Sequence, residues 1–167
     1  MNKVRYQNSQ LYSECQLVSV LNASYMLGGS FITKGSNEYE RLVDFTCGRN
    51  GSCIQIEKVY RYLKLEHVDI KPEWDNIKLM VDYGFPVSIS VNTPITGNHS
   101  VCIVGARHCN GGYVFKVPNI NWYTNRMWIH EEELKKIHIC RSNLLPHRNY
   151  FRMFMRHRLF KLKGEEV

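Results

Sequence analysis

Two residues in this chain stand where a thiol and an imidazole could do chemistry together. Cys15 lies in Gln10-Leu-Tyr-Ser-Glu-Cys-Gln-Leu-Val-Ser-Val-Leu-Asn-Ala-Ser-Tyr-Met-Leu-Gly28-Gly29. Leu17, Leu21 and Tyr25 recur at four-residue steps with Val18 and Val20 beside them, the spacing of a mostly buried helix. Gly28 and Gly29 close it. Ser13 or Glu14 falls at the N-cap, so Cys15 sits in or just before the first turn. Backbone N–H groups lack partners there and the helix dipole is positive. A thiol so placed ionises more readily than a free one, and the thiolate is the nucleophile. It needs a base, a group that orients the base, and donors for the developing oxyanion. His99 is the candidate base, because it follows Gly97-Asn98 at the point where a loop enters a strand. His108 falls at the other end of that strand, beside a turn. His67, His130, His138, His147 and His157 lie in charged surroundings and read as surface residues. Taken singly, Cys15 also fits a small buried hydrophobe and His99 a strand-edge histidine.

The elements that must position these residues follow from the apolar spacing. Gly35-Ser36 opens a second helix with Tyr39, Leu42 and Val43 on one face. Ile54, Ile56, Val59, Tyr60 and Leu63 form a third, with Ser52 as a possible cap. His67 to Ile70 is a short strand. Pro72 introduces a helix through Trp74, Ile77, Met80 and Val81, ended by Gly84. The pattern then changes. Phe85 to Val91 alternates as a half-buried strand does, and His99 to Gly105 is a richer apolar strand. Asn110-Gly111-Gly112 is a tight turn into a third strand, Tyr113 to Val117. Glu131 to Lys136 is a short amphipathic helix, and Ile137 to Cys140 a last strand. Helices come first and an antiparallel sheet second, so the class is α+β. Residues 1–145 read as a single domain, with 146–167 a basic, aromatic segment packed on it.

The 167 residues supply enough material for a core, and 44% hydrophobic with 22% charged residues is an ordinary globular balance. No apolar run is long enough to cross a membrane. The first residues, Met-Asn-Lys-Val-Arg-Tyr-Gln-Asn, lack the apolar segment of a signal peptide, so a cytoplasmic location is expected. Six cysteines are expected as free thiols. Cys47 and Cys53 flank a glycine-rich turn and could form a bridge or half a metal site. The net charge of +7 is uneven: residues 141–167 hold 7 of the 22 Lys and Arg but only 2 of the 15 Asp and Glu. In that segment Arg148, Arg152, Arg156, Arg158, Lys161 and Lys163 alternate with Tyr150, Phe151, Phe154 and Phe160. Such a stretch suits an acidic protein partner, nucleic acid or an anionic surface, or else packs its apolar side on the sheet.

The order helix-cysteine, strand-histidine, then a polar residue on the next strand resembles the papain-like cysteine peptidases. Within them it is most similar to the bacteriocin-processing peptidases, the leader-cleaving domains of ABC exporters and their stand-alone relatives. Gln10 to Gly28 carries the likeness, with Gly84-Phe-Pro-Val-Ser-Ile-Ser-Val and Gly97-Asn-His-Ser-Val-Cys-Ile-Val-Gly-Ala, then Gly112-Tyr-Val-Phe-Lys-Val-Pro-Asn. The resemblance implies a papain-like fold, N-terminal helices on a C-terminal antiparallel sheet. It also implies Cys15 as nucleophile and His99 as base, cleaving a peptide or protein substrate. The family's oxyanion glutamine stands six residues before the cysteine; here Ser9 holds that place, and Gln10, or Gln7, is the nearest glutamine. The family's Asp-Pro pair is replaced by Val117-Pro118. Asn119, followed by Asn121, is the candidate to orient His99, as an asparagine does in papain.

His99, Cys102, His108 and Cys109 cluster in sequence, but His99 and Cys102 differ by three positions and face opposite sides of a strand, so no metal site is expected. Nucleotide fingerprints of the GxxxxGK[ST] and GxGxxG kinds are missing, and no cofactor is expected. The alternative to a peptidase is a catalytically inert papain-like module serving as a binding or structural component, for example in a bacteriophage virion.

Overall fold

The structure, a computed structural model, describes residues 14–46, 56–93, 97–118 and 127–149. Helix α1, Cys15–Met26, is buried on almost every side: Leu17 through Ser24 all lie inside. A helix with so little charge is stable only when enclosed. It ends as its glycines require, with Gly28 at φ +89°. Helix α2, Asn37–Thr46, begins where the Ser36 hydroxyl accepts the Tyr39 N–H at 3.1 Å. Helix α3, Ile56–Tyr62, turns Val59 and Tyr60 inward. Ile54 and the Ser52 cap lie outside the described residues, as do Cys47 and Cys53.

Strand β1, Val68–Ile70, and helix α4, Trp74–Asp82, come next, then β2, Val87–Thr93, and β3, Gly97–Ile103. Strand β4, Gly105–Cys109, turns at Gly111 and Gly112 into β5, Gly112–Lys116. Strand β6, Trp128–His130, runs straight into helix α5, Glu131–Leu134, and β7, Ile139–Leu144, completes the described elements. One sheet has the order β1-β7-β2-β3 and the other β4-β5-β6, with every pairing antiparallel. The class is α+β. Strand β1 pairs with β7, 72 positions or more away, so a three-residue strand finds a place only once the chain returns.

The four-stranded sheet carries a core on each face. On one side Leu17, Val20, Leu21 and Ala23 of α1 pack with Tyr39, Leu42, Val59, Cys102, Val104 and Leu145. On the other, Ile77, Met80 and Val81 of α4 and Leu134 of α5 pack with Val87, Ile89, Val91, Val101 and Ile103. The alternation of β2 and β3 is therefore apolar toward α4 and mixed toward α1, where Ser88, Ser90, Ser100 and Cys102 lie. The basic segment is described only to Asn149. Its start is tied down: the Glu66 N–H donates to the Pro146 carbonyl, and Arg148 Nε lies 3.2 Å from Glu66 Oε1.

Candidate active site

Cys15 is the first residue of α1 and is half-buried; its thiol is free, as are those of Cys102, Cys109 and Cys140. Glu14 holds the N-cap position, but its side chain makes no capping hydrogen bond. Its carboxylate, 5% exposed, turns instead to Lys34 Nζ at 2.6 Å. The first N–H groups of α1 are thus left without a side-chain acceptor from that residue, beside the thiol.

His99 sits on β3 opposite Val91 and is 7% exposed. The other described histidines have surface or capping places. His67 stacks on Tyr60, His108 lies exposed against Tyr113, and His130 Nδ1 accepts the Glu132 N–H at 3.2 Å at the start of α5. His138 is exposed, and His147 bridges to Leu65. His108 is not on the His99 strand: the chain breaks at Val104, whose N–H donates to the Lys116 carbonyl, and restarts as β4.

Helix α1 packs on β3, so the thiol and the imidazole belong to adjoining elements. They do not share a face of the strand. His99 has the parity of Val101 and Ile103, which join the α4 core, while Cys102, which joins the α1 core, has the opposite parity. His99 is the third residue of β3. Ser90 and Ser100 are on the α1-facing side, with their hydroxyl oxygens 3.4 Å apart. Gln10, Gln7, Asn119 and Asn121 lie outside the described residues. Among the described residues no three His, Cys, Asp or Glu side chains gather as a metal site.

Sequence reasoning missed three polar features. The Glu14–Lys34 pair joins residues 20 apart that no periodicity links. Ser19, one turn beyond Cys15, is fully buried with no hydrogen-bond partner for its hydroxyl among the described residues; a serine at i+4 from a candidate nucleophile was the available signal. The third is Glu131, 6% exposed, held by Lys78 of α4 and the Tyr113 N–H. A cavity of about 380 Å³ opens at the opposite end of α1 from Cys15, lined by Leu27, Gly28, Ile32, Tyr62 and Leu65. No protein-family profile, curated protein or solved structure matches the chain.

Proposed function

We propose that the chain is a thiol-dependent amide hydrolase of the papain-like kind, acting on a peptide or protein. The observation that carries this reading is the pairing of elements: Cys15 opens a buried helix, and that helix packs on the strand holding the buried His99. In the proposed reaction the Cys15 thiolate attacks the amide carbonyl, and His99 takes the thiol proton and gives it to the departing amine. Water then cleaves the thioester, with His99 as base. Gln10 is proposed as an oxyanion donor and Asn119, or Asn121, as the group that orients the imidazole. The bacteriocin-processing resemblance supports a bacterial or phage source. Among the described residues no helix is long and apolar enough to cross a membrane.

One observation favours a second reading, an inert papain-like module in a binding or structural role such as a virion component. It is the parity of His99, which follows Val101 rather than Cys102. The basic segment after Pro146 is the proposed contact for an acidic partner or nucleic acid in either case.

A peptidyl electrophile that acylates or alkylates active thiols separates the two. The hydrolase reading expects one adduct, on Cys15, lost in Cys15→Ala and much slower in His99→Ala. Labelling of Cys15 at the same rate with His99 removed leaves the inert module.

A further inference from the structure

The three-stranded sheet β4-β5-β6 has two unlike faces. Ala106, Tyr113, Phe115 and Ile129 point toward α4 and join or flank its core. The outer face takes the other positions: Arg107 and Cys109 on β4, Val114 and Lys116 on β5, Trp128 and His130 on β6, with two glycines. None of these residues is acidic, and none is buried. On this face the Arg107 guanidinium carbon lies 4.4 Å from the centroid of the Trp128 ring, and Lys116 Nζ lies 5.6 Å from it. Arg107 reaches that ring across β5, since its direct partner there is Val114, while Trp128 pairs with Lys116. Two like charges are thus gathered on one indole. Composition does not require it: residues 1–140 hold 15 Lys and Arg against 13 Asp and Glu. Glu131 and Glu132, which follow β6 in the chain, are engaged elsewhere, by Lys78 and Lys135. The repulsion between the two cations is relieved when an anion comes beside them.

We propose that this face binds single-stranded nucleic acid: Trp128 holds Arg107 as a flat platform on which a base stacks, and Arg107 and Lys116 take the flanking phosphates. A guanidinium held over an indole presents a planar surface together with N–H donors that fit phosphate. Bases stack on aromatic rings and on arginine planes alike. An acidic protein segment would pair with the two charges but has no use for the ring beside them. A lipid surface calls for apolar side chains standing out from the face, where Val114 is the aliphatic residue present. A duplex keeps its bases stacked inside and offers this face phosphate alone. The proposal goes beyond the hydrolase and inert-module readings and needs neither Cys15 nor His99. It also assigns nucleic acid to residues other than those of the basic segment after Pro146.

The test is fluorescence anisotropy of labelled oligothymidylate and oligouridylate, each of about 15 nucleotides, with the full chain between about 50 and 200 mM salt. The parent should bind at the lower salt and release steeply as salt rises. Arg107→Gln should weaken binding about tenfold and reduce the slope of log affinity against log salt by about 0.7, the share of one phosphate contact. Trp128→Leu should also weaken binding about tenfold but leave the slope unchanged, because it removes stacking and no charge; Trp128→Phe should stay near the parent. Circular dichroism and melting curves check that the variants fold. Should Trp128→Leu not fold, Arg107→Gln at its exposed position and a duplex of the same length carry the test, since the duplex should bind less tightly than the strand. No complex with either strand at the lower salt overturns the proposal. Parental affinity in both Arg107→Gln and Trp128→Leu overturns it as well, and leaves binding to the basic segment. Loss in only one of the two overturns the joint platform of ring and charge. A duplex, polyglutamate or phosphatidylserine vesicles competing as well as the strand would make the face a general anion surface and overturn the proposal too.

Discussion

The Glu131 carboxylate accepts the Tyr113 backbone N–H at 3.1 Å through one oxygen and meets Lys78 Nζ at 3.1 Å through the other. This one side chain joins α4, β5 and α5. Burial by itself would raise its pKa from the ordinary 4.5, but the Tyr113 N–H, Lys78 and Lys135 outweigh burial and hold it lower. A carboxylate lowered in the folded state adds stability that is present above the ordinary value and is lost as pH falls through the folded one. Glu131→Gln should thus destabilise the fold at pH 7 by about 2 kcal/mol, the worth of one charge-assisted bond. Denaturant melts at pH 7 and pH 3 check this: the gap between parent and variant should shrink at the lower pH.

Gly112 makes room for that carboxylate. Its φ is +140°, and a β-carbon there would run into Glu131 Oε1. Gly112→Ala should cost about 2 kcal/mol, from the backbone conformation and from the displaced carboxylate together. The two causes separate in a double-mutant cycle. In a Glu131→Ala background the cost of Gly112→Ala should fall, since only the backbone part remains, and simple additivity would show that the glycine is needed for φ alone.

The elements that the sequence makes legible are those whose signal is local. Leu17, Leu21 and Gly28 define α1, and Asn110-Gly111-Gly112 defines the β4–β5 turn. What it hides depends on the return of the chain. β1 is three residues long and is held by β7, and Glu131 reads as one of three acids on a polar helix until Lys78 and Tyr113 come beside it. In the site, the start of α1 at Cys15 was readable from spacing, whereas the burial of His99 was not, because a place at the entry to a strand does not say what closes over it. The opposed faces of His99 and Cys102 were readable too, but which of those faces α1 covers is set by Leu17, Val20 and Ala23 packing on Cys102 and Val104, a tertiary choice. The break at Val104, which moves His108 to a separate strand, has no local marker before the Val104 N–H finds Lys116.

Lys64 is the described non-glycine residue with positive φ, at +56°. It follows α3, where the Lys64 N–H donates to the Arg61 carbonyl and the Leu65 N–H to the Tyr60 carbonyl. That is the left-handed cap which glycine adopts most easily. Lys64→Gly should raise stability by about 1 kcal/mol, or about 3 °C in melting temperature for a chain of this size. A variant that melts at or below the parent would mean that the lysine side chain contributes more through its contacts than its backbone costs.

Cys102 should be the slowest of the four described thiols to react. It is fully buried between β3 and α1, whereas Cys109 and Cys140 are exposed and Cys15 is half-buried. Burial pushes its pKa well above the ordinary 9.0, because the thiolate has no solvation there. For an acid raised on folding, stability is whole below the unfolded value and falls as pH rises past it. Above pH 9 the fold should therefore lose about 1.4 kcal/mol per pH unit through this residue while the folded thiol stays neutral. Cys102→Ala removes that slope at the cost of a small cavity, so parent and variant stabilities should converge between pH 9 and pH 10.5. Iodoacetamide pulses along a urea series give the second measurement. Cys102 should label only across the global transition, together with the loss of helix signal; labelling in the folded baseline would show that α1 opens from β3 on its own, and that the helix carrying Cys15 is mobile in the native state.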